Sequence, residues 1–390
     1  MKTEAINHLR GKLIPFWEGL RDEQYGGFYG YLGYDLTLDK QSWKGSILNS
    51  RILYFFSRAY QLLGDANLLD DAKHAYAFFD RLLDKENGGV YWSCEYDGTP
   101  RDTMKHTYAQ SFAIYGLSMY AIATGEREPV EQALALYRLI EGRMADKPGY
   151  REAFDRTFTR ELDNAKLSDN PKLCAKGLVA EKTMNTLLHV MEAYTLLYRA
   201  SGDADVKESL CGLLRVVREM VYNESANRLE VFFDRDLRTL IDMQSYGHDI
   251  EATWLLDFAA DTVLEGEARR AYRAWTTSLA WAVYDRAYRD GSLLNEIVEG
   301  AADPTRIWWV QAETVIGMTN LYQKTGDERA LKAAQSTLAF IWAKLVDPRA
   351  GSEWFAATDA DGKPCEKPIV EPWKCPYHNG RMCMELIERL

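Results

Sequence analysis

Four of the six histidines in this chain recur at equivalent points of a repeating pattern: His106, His189, His248 and His378. An imidazole titrates near neutral pH, so it can accept a proton and later return one. Glu251 follows His248 by three residues, and Glu313 follows Trp309 by four. On a helix, either spacing places the two side chains on one face. These glutamates could therefore orient or activate an imidazole, or bind the hydroxyls of a sugar.

Two other chemistries remain open for this set of side chains. Several histidines with glutamates could ligate a metal ion, but the H-x-x-x-H and H-x-H spacings of common sites are absent. A glycosidase would need an acid and a second carboxylate flanking the scissile bond. Glu251 and Glu313 could supply that pair, although the four histidines would then have no role. We expect no metal and no other cofactor.

Two imidazoles on opposite walls of a site would suit a reaction at C2 of an open-chain aldose. One base removes the C2 proton and leaves a cis-enediolate, and protonation from the opposite face inverts that carbon. A single base acting on one face would instead pass the proton to C1 and yield a ketose. The enediolate carries negative charge, so a fixed cation must be close to it. Arg51, permanently charged and fork-shaped, is the candidate.

The elements that must position these residues repeat along the chain. Six short segments rich in glycine and aromatic residues each read as a turn followed by a strand. Aligned on one position in each segment, they are separated by 62, 60, 79, 63 and 60 residues: Phe28, Val90, Tyr150, Leu229, Ser292 and Ser352. Helical stretches flank every segment, and a Gly-Asp step joins consecutive helices at Gly64, Gly202 and Gly326.

Six units of two helices predict an all-α (α/α)6 barrel, in which six inner helices lie inside six outer ones. We expect short β-hairpins or strands in the loops at one end, and one catalytic domain over residues 1–390. An open helical solenoid is the competing architecture. The 79-residue step contains an additional loop at residues 155–177, which we expect to cover one mouth of the ring.

Composition and charge exclude several classes of partner. The net charge is −11, and an acidic protein does not favour nucleic acid or an anionic membrane surface. The sequence contains neither a membrane-spanning stretch nor a signal-peptide pattern, and none of its six cysteines forms a C-x-x-C pair. We therefore expect a cytoplasmic protein with reduced thiols that acts on a small neutral molecule. We expect a monomer, with a dimer as the alternative.

Four motifs give the chain a resemblance to the N-acylglucosamine 2-epimerase superfamily, and within it to the enzymes that act on disaccharides. The resemblance covers essentially the whole chain. The motifs are residues 102–108 (DTMKHTY), 245–251 (SYGHDIE), 308–313 (WWVQAE) and 372–381 (PWKCPYHNGR). It implies an (α/α)6 barrel that reversibly epimerises C2 of the reducing-end sugar in β-1,4-linked disaccharides such as cellobiose, lactose or mannobiose, without a metal or a nucleotide.

The resemblance also implies roles for matching residues. His248 and His378 would be the acid–base pair, while Arg51 and His189 would hold the ring-opened sugar. The predicted substrate-binding residues are Tyr108, Asn185, Glu251, Trp309, Glu313, Trp373 and His106. Trp373 would stack on the non-reducing unit. One departure from the family pattern is Asn49, where a histidine is expected before Ser-Arg-Ile.

Three alternatives remain beside disaccharide epimerisation. The chain could be a monosaccharide aldose–ketose isomerase or an N-acylglucosamine 2-epimerase of the same superfamily. It could also be an (α/α)6 glycoside hydrolase, or a sugar-binding protein without activity.

Overall fold

The fold is a double ring of helices, seen in a computed structural model that describes residues 1–168 and 170–390. Among these residues, six long helices form an inner layer: Ser46–Leu63, Thr107–Thr124, Met184–Ser201, Tyr246–Val263, Trp308–Thr325 and His378–Arg389. We call them the first to sixth inner helices. The outer helices are Lys2–His8 with Ile14–Glu18, Ala66–Leu82, Glu128–Leu139, Ala204–Val216, Gly266–Ala287 and Glu328–Phe340. Four π-helical segments extend or interrupt the outer helices: Leu9–Leu13, Ile140–Met144, Val217–Val221 and Ile341–Leu345.

The inner layer closes on itself. Each inner helix contacts the next one along the chain, and the sixth contacts the first. The N-terminal outer helix Lys2–His8 packs on the sixth inner helix, which completes the outer layer. The predicted (α/α)6 barrel is confirmed, and the open solenoid is wrong. None of the described helices is long and apolar enough to cross a membrane.

The Gly-Asp steps reverse the chain between the inner and outer layers. Gly64 ends the first inner helix with a φ of 69°, in the left-handed region that glycine adopts without a Cβ clash. Asp65 then begins the next outer helix, where its carboxylate accepts a hydrogen bond from the Asn67 backbone N–H. The same pair recurs at Gly202-Asp203 and Gly326-Asp327.

Short strands gather at the other end of the helices. The described strands are Lys44–Gly45, Ser93–Cys94, Pro100–Asp102, Lys105–His106, Ala153–Phe154, Glu161–Leu162, Lys182–Thr183, Tyr222–Asn223, Arg228–Leu229, Phe232–Phe233, Met243–Ser245, Tyr288–Arg289, Ser292–Leu293, Glu296–Val298, Ala301–Asp303, Arg306–Ile307 and Ala357–Thr358. The strand that leads into an inner helix pairs with a strand of the following repeat, as Lys44–Gly45 does with Ser93–Cys94. A bridge between Leu32 and Val370 joins the last repeat to the first. These pairings bring the N-termini of the inner helices to one mouth of the barrel.

Buried ion pairs, which we did not predict, tie these strands to the preceding turns. The Lys44 ammonium lies 2.6 Å from Asp22 Oδ2, and both side chains are buried. Lys105 repeats the arrangement with Asp84 at 3.0 Å, in the next repeat. The turn carboxylate Asp22 also accepts backbone N–H groups of its own loop. A charged residue at the start of the strand therefore anchors the strand to the turn of its own repeat.

The loop at residues 155–177 runs along the mouth with the strands. In the first part of the loop, Asn164 contacts His106 and Lys166 lies 3.0 Å from Asp102, both in the second repeat. Beyond the short helix Pro171–Ala175, the Lys172 ammonium donates to the Val298 carbonyl at 2.7 Å. The loop thus connects the second repeat to the fifth, and Asp169 within it lies outside the described residues. Its role as a lid stays a prediction.

Candidate active site

Seven of the eleven predicted site residues lie at matching depths of the inner helices. The four histidines do not share one position, because His189, His248 and His378 are the sixth, third and first residues of their helices and His106 precedes its helix. Arg51, His189, Glu251 and Glu313 are each the sixth residue of their helix. Tyr108, Asn185 and Trp309 are each the second. Because the helices start at one mouth, equal positions along the helices form layers across the ring. The repeat alignment therefore grouped residues that belong to the same end of the barrel.

Arg51 forms one side of the site. Its Nη2 donates to the Tyr108 hydroxyl at 3.0 Å, and its Nη1 donates to the Trp373 carbonyl at 3.2 Å. The guanidinium also lies 4.1 Å from the centre of the Phe112 ring and is almost completely buried. These contacts hold a permanent positive charge beside Tyr108 and Trp373, in an environment of low polarity where that charge acts strongly.

His248 and His378 both contact the indole of Trp309. The ring centres are 4.8 Å apart for His248 and 5.4 Å apart for His378. Nδ1 of His378 lies 2.8 Å from Glu313 Oε1, and Nδ1 of His248 lies 2.7 Å from the Ser245 hydroxyl. Each imidazole is therefore held through Nδ1, which leaves Nε2 as the nitrogen that can exchange a proton with a ligand.

Arg381 lies beneath the histidines as the centre of a buried charge network. Its Nη2 lies 2.6 Å from Glu251 Oε1 and 2.7 Å from Glu313 Oε1, and its Nη1 contacts Glu192. Glu192 in turn accepts a hydrogen bond from the Tyr377 hydroxyl at 2.7 Å. The guanidinium of Arg381 therefore bridges three carboxylates, two of which, Glu251 and Glu313, are predicted site residues.

Glu192 and Tyr377 are site residues that sequence reasoning missed. Oε2 of Glu192 lies 2.8 Å from Nδ1 of His189, so the carboxylate orients that imidazole. Glu192 follows His189 by three residues, the same spacing that drew attention to Glu251 after His248. Applying that spacing to every histidine would have found it.

Sequence comparison assigns the chain to one family of epimerases. The sequence model of the N-acylglucosamine 2-epimerase (GlcNAc 2-epimerase) family matches residues 26–380. The chain belongs to the N-acylglucosamine 2-epimerase family. A cellobiose 2-epimerase of Ruminococcus albus is 48% identical over 391 residues, which cover 100% of this chain and 99% of the relative.

Solved structures agree with the family assignment. The crystal structure of a sugar epimerase from a ruminal bacterium aligns with a TM-score of 0.96 at 47% identity, covering 100% of this chain and 99% of the other. The cellobiose 2-epimerase of Bacillus thermoamylovorans aligns with a TM-score of 0.95 at 39% identity, with the same coverage. The chain is thus a carbohydrate epimerase or isomerase of the N-acylglucosamine 2-epimerase family.

Burial sets the protonation of the site in this member of the family. It lowers the pKa of His248 to about 3, with a smaller contribution from His189. Burial, followed by the charges of Arg381 and Arg51, also lowers the pKa of His378 well below its ordinary value. Both imidazoles are therefore neutral at pH 7 and can act as bases.

Glu251 and Glu313, unlike Glu192, have pKa values above the ordinary value, and the rise is larger for Glu251. Burial and the charge of Glu313 raise the pKa of Glu251 well above the ordinary value. Its Oε2 is buried and has no hydrogen-bonding partner among the described residues. A protonated Glu251 would relieve the repulsion of three carboxylates around a single guanidinium.

The metal interpretation is poorly supported by this geometry. Ligand atoms of Glu251, Glu313 and His378 do lie within 4.8 Å of one another. However, Nη2 of Arg381 already donates to both carboxylates, at 2.6 and 2.7 Å. A fixed cation among the oxygen ligands opposes the binding of a second cation.

His106 is placed differently from the other predicted binding residues. Its Nδ1 accepts the Tyr108 backbone N–H at 3.2 Å, and its Nε2 lies 3.0 Å from Asn164 Oδ1. The ring is completely buried and packs against Trp92. With both nitrogens engaged, His106 positions its neighbours and offers no free hydrogen-bonding atom to a sugar.

An aromatic wall lies on the same side as Arg51. The ring of Trp373 lies 5.8 Å from Trp92 and 5.8 Å from Tyr108, measured between centres, and it is only half-buried. Trp309 is also half-buried, whereas Trp308 is buried in the core. The two accessible indoles give the site apolar surfaces, and Asn185 at the third inner helix adds a half-buried amide.

Proposed function

We propose that this chain is a cellobiose 2-epimerase, which interconverts glucose and mannose at the reducing end of β-1,4-linked disaccharides. The observation that carries the proposal is the pair of neutral imidazoles, His248 and His378, that share contact with Trp309. Curated cellobiose 2-epimerases 44–48% identical over the full chain support the substrate class. The isomerase, N-acylglucosamine epimerase and hydrolase alternatives have less support.

The reaction follows from the side chains present. The reducing-end sugar opens to the aldehyde, and one imidazole Nε2 removes the C2 proton. The electron pair left at C2 forms the cis-enediolate, with negative charge on O1 and O2. Arg51 is the cation that stabilises this charge, and its bond to the Tyr108 hydroxyl holds it in position. The other imidazole returns a proton to the opposite face of C2.

The hydrogen bonds on Nδ1 explain why these histidines can act as bases. Glu313 is an acceptor, so it holds the proton of His378 on Nδ1 and leaves the Nε2 lone pair free. It also stabilises the imidazolium once Nε2 has taken a proton. Ser245 can serve His248 as either donor or acceptor, because its hydroxyl rotates. The His189–Glu192 pair would serve the ring-opening step beside Arg51.

The remaining residues would bind the two sugar units. We assign the reducing-end subsite to Tyr108, Asn185, Glu251 and Trp309, where polar atoms meet one indole face. Trp373 would stack on the apolar C–H face of the non-reducing sugar. A cytoplasmic location and a monomeric state remain predictions from the sequence.

Incubation with cellobiose in D2O tests the proposal. We expect deuterium at C2 and glucosyl-mannose as the product, both followed by NMR. His248→Asn and His378→Asn should each abolish net epimerisation, whereas His74→Asn should keep full activity. His74 is a suitable control because it lies on an outer helix, bonded to the Gly27 carbonyl.

Three results would overturn parts of this proposal. Full activity in either site variant would remove that histidine from the mechanism. Loss of turnover with EDTA would restore a metal-dependent mechanism. Faster turnover of mannose or N-acetylmannosamine than of cellobiose would move the chain to another activity of the same family.

A further inference from the structure

A second cavity lies inside the ring, at the mouth opposite the candidate active site. Its volume is about 280 Å³, and its walls come from five of the six inner helices. Several lining residues belong to the last turns of those helices, including Gln61, Ile122 and Arg199. The cavity therefore opens at the C-terminal end of the inner helices, away from the strands and the 155–177 loop.

The innermost wall of this cavity belongs to the network that holds the site histidines. Glu192 lines the cavity and accepts the Nδ1 proton of His189 at 2.8 Å. Trp254 also lines it, and its indole N–H donates to Glu313 Oε2 at 2.9 Å. The same Glu313 holds His378. A molecule in the cavity would thus touch two groups that each position a site histidine.

The cavity walls favour a ligand with a planar or branched apolar body. Tyr54 and Tyr115 stack with their ring centres 4.4 Å apart, and Met119, Leu196 and Leu255 add aliphatic surface. Binding pockets for drug-sized molecules begin at roughly 300 Å³. A space of this size fits one ring with a short substituent and excludes larger molecules.

The charges at the cavity rim select an anion. Arg58 is paired with Glu388, and Arg389 is paired with Glu385 at 2.7 Å. Arg199 is different, because in the part of the chain that the structure describes no carboxylate pairs with it. Its guanidinium lies 5.0 Å from the centre of the Phe258 ring. One unpaired guanidinium at the mouth of a cavity with an aromatic and aliphatic wall matches a single carboxylate on a small apolar body.

We propose that this cavity is a second binding site, for a small amphipathic monocarboxylate. The carboxylate would bind Arg199 at the mouth, and the apolar body would lie against Tyr54, Tyr115 and Trp254. The site is separate from the sugar site and does not depend on the proposed epimerase activity. Its occupancy would alter the positions of His189 and Glu313 through Glu192 and Trp254.

Phenylacetate is a suitable probe, because it combines one ring with one carboxylate. Binding to the intact protein is followed by saturation-transfer NMR and calorimetry, with no sugar present. We expect saturable binding in the millimolar range or tighter, and a weaker response to the neutral analogue phenylacetamide. Arg199→Gln should weaken phenylacetate binding by about fivefold or more and leave phenylacetamide binding unchanged.

Arg10→Gln is the matched control, because Arg10 is an exposed arginine of an outer helix. This variant should bind phenylacetate as the unmodified protein does. The proposal is wrong if phenylacetate does not saturate up to about 20 mM, or if Arg199→Gln binds it unchanged. Complete displacement of the probe by cellobiose would place it in the sugar site and also overturn the proposal.

Discussion

Replacing Arg381 with methionine should test the buried charge network more directly than any other single change. The side chain is buried and pairs with Glu192, Glu251 and Glu313. Methionine keeps much of the volume but removes the positive charge. Breaking a buried ion pair by removing one partner typically costs about 3–5 kcal/mol, because the remaining charge has no compensation.

Glu192 gives an independent measure of this cost. Burial alone would raise its pKa, but Arg381 and His189 outweigh burial and lower the pKa to about 2 from an ordinary value of 4.5. A lowered pKa of this kind contributes stability at pH 7 that is lost as the pH falls through 4.5 toward 2. The difference corresponds to about 3 kcal/mol, in agreement with the estimate for the broken pair.

Without Arg381, the pKa values of the three glutamates should rise, so that protonation removes the uncompensated charge as the pH falls. We therefore expect Arg381→Met to lower the melting temperature by about 4–6 °C at pH 7.5 for a chain of this length, and by less at pH 5.0. Differential scanning calorimetry of both proteins at both pH values measures this.

Arg389→Met is the control, since Arg389 lies on the same helix and pairs with the partly exposed Glu385. That pair should be worth less than about 1 kcal/mol. An Arg381→Met protein as stable as the control variant at pH 7.5 would refute the reasoning. If the melting temperature is lowered by the same amount at pH 5.0, the charges of the glutamates are not the cause of the lost stability.

Three further predictions follow from the site and its surroundings. A methyl group in Gly247→Ala would lie 2.6 Å from Trp309 Cη2, so the indole must move. We therefore expect KM for cellobiose to rise several-fold. Gly212→Ala is the control and should leave KM unchanged, because a methyl group there has nothing within 4 Å. Because burial lowers the pKa of His248 to about 3, the acid limb of kcat/KM should lie well below pH 6.5, and a midpoint at or above 6.5 would contradict this. Burial lowers the pKa of His106 to about 4, so this residue alone should lower the free energy of unfolding in urea by about 2 kcal/mol between pH 7.5 and pH 5.0. In His106→Asn the total loss over this pH range should be smaller by that amount.

The sign of the last effect follows from linkage. The unfolded chain binds the imidazole proton near pH 6.5, whereas the folded chain binds it near pH 4. Between these values the unfolded state holds more protons, so stability falls as the pH falls. A loss in the unmodified protein no larger than the loss in the His106→Asn variant would contradict the assigned protonation.

The ring could be predicted from the sequence because its signals are local and repeat. At each predicted turn the chain pairs back onto the end of the preceding outer helix, as Phe28 does with Arg21 and Val90 with Leu83. Gly64 ends one helix and Asp65 begins the next at the positions that the sequence predicts, because capping depends only on neighbouring residues. Six copies of one local pattern then determine one closed architecture.

The buried charge network could not be predicted in the same way. Arg381 and Glu192 are 189 residues apart, and only closure of the ring brings them into contact. Likewise, Lys44 gives no sign in the sequence that its ammonium group is buried against Asp22. His106 illustrates the converse error, since the repeat pattern groups it with the site residues but its ring faces Trp92 and Asn164.

The arrangement of the helices themselves contributes to the chemistry. The six inner helices all begin at the mouth that holds His248, His378 and Arg51. Helix N-termini carry partial positive charge, roughly half a unit each, and stabilise anions. This field stabilises an enediolate near Arg51 and destabilises an imidazolium. It therefore lowers the pKa values of His248 and His378, as burial does. The carboxylates of Glu192 and Glu313 oppose it at Nδ1 of His189 and His378, where a proton must be held. The fold thus supplies positive potential where negative charge develops, and the buried glutamates place their negative charge on the Nδ1 side of His189 and His378.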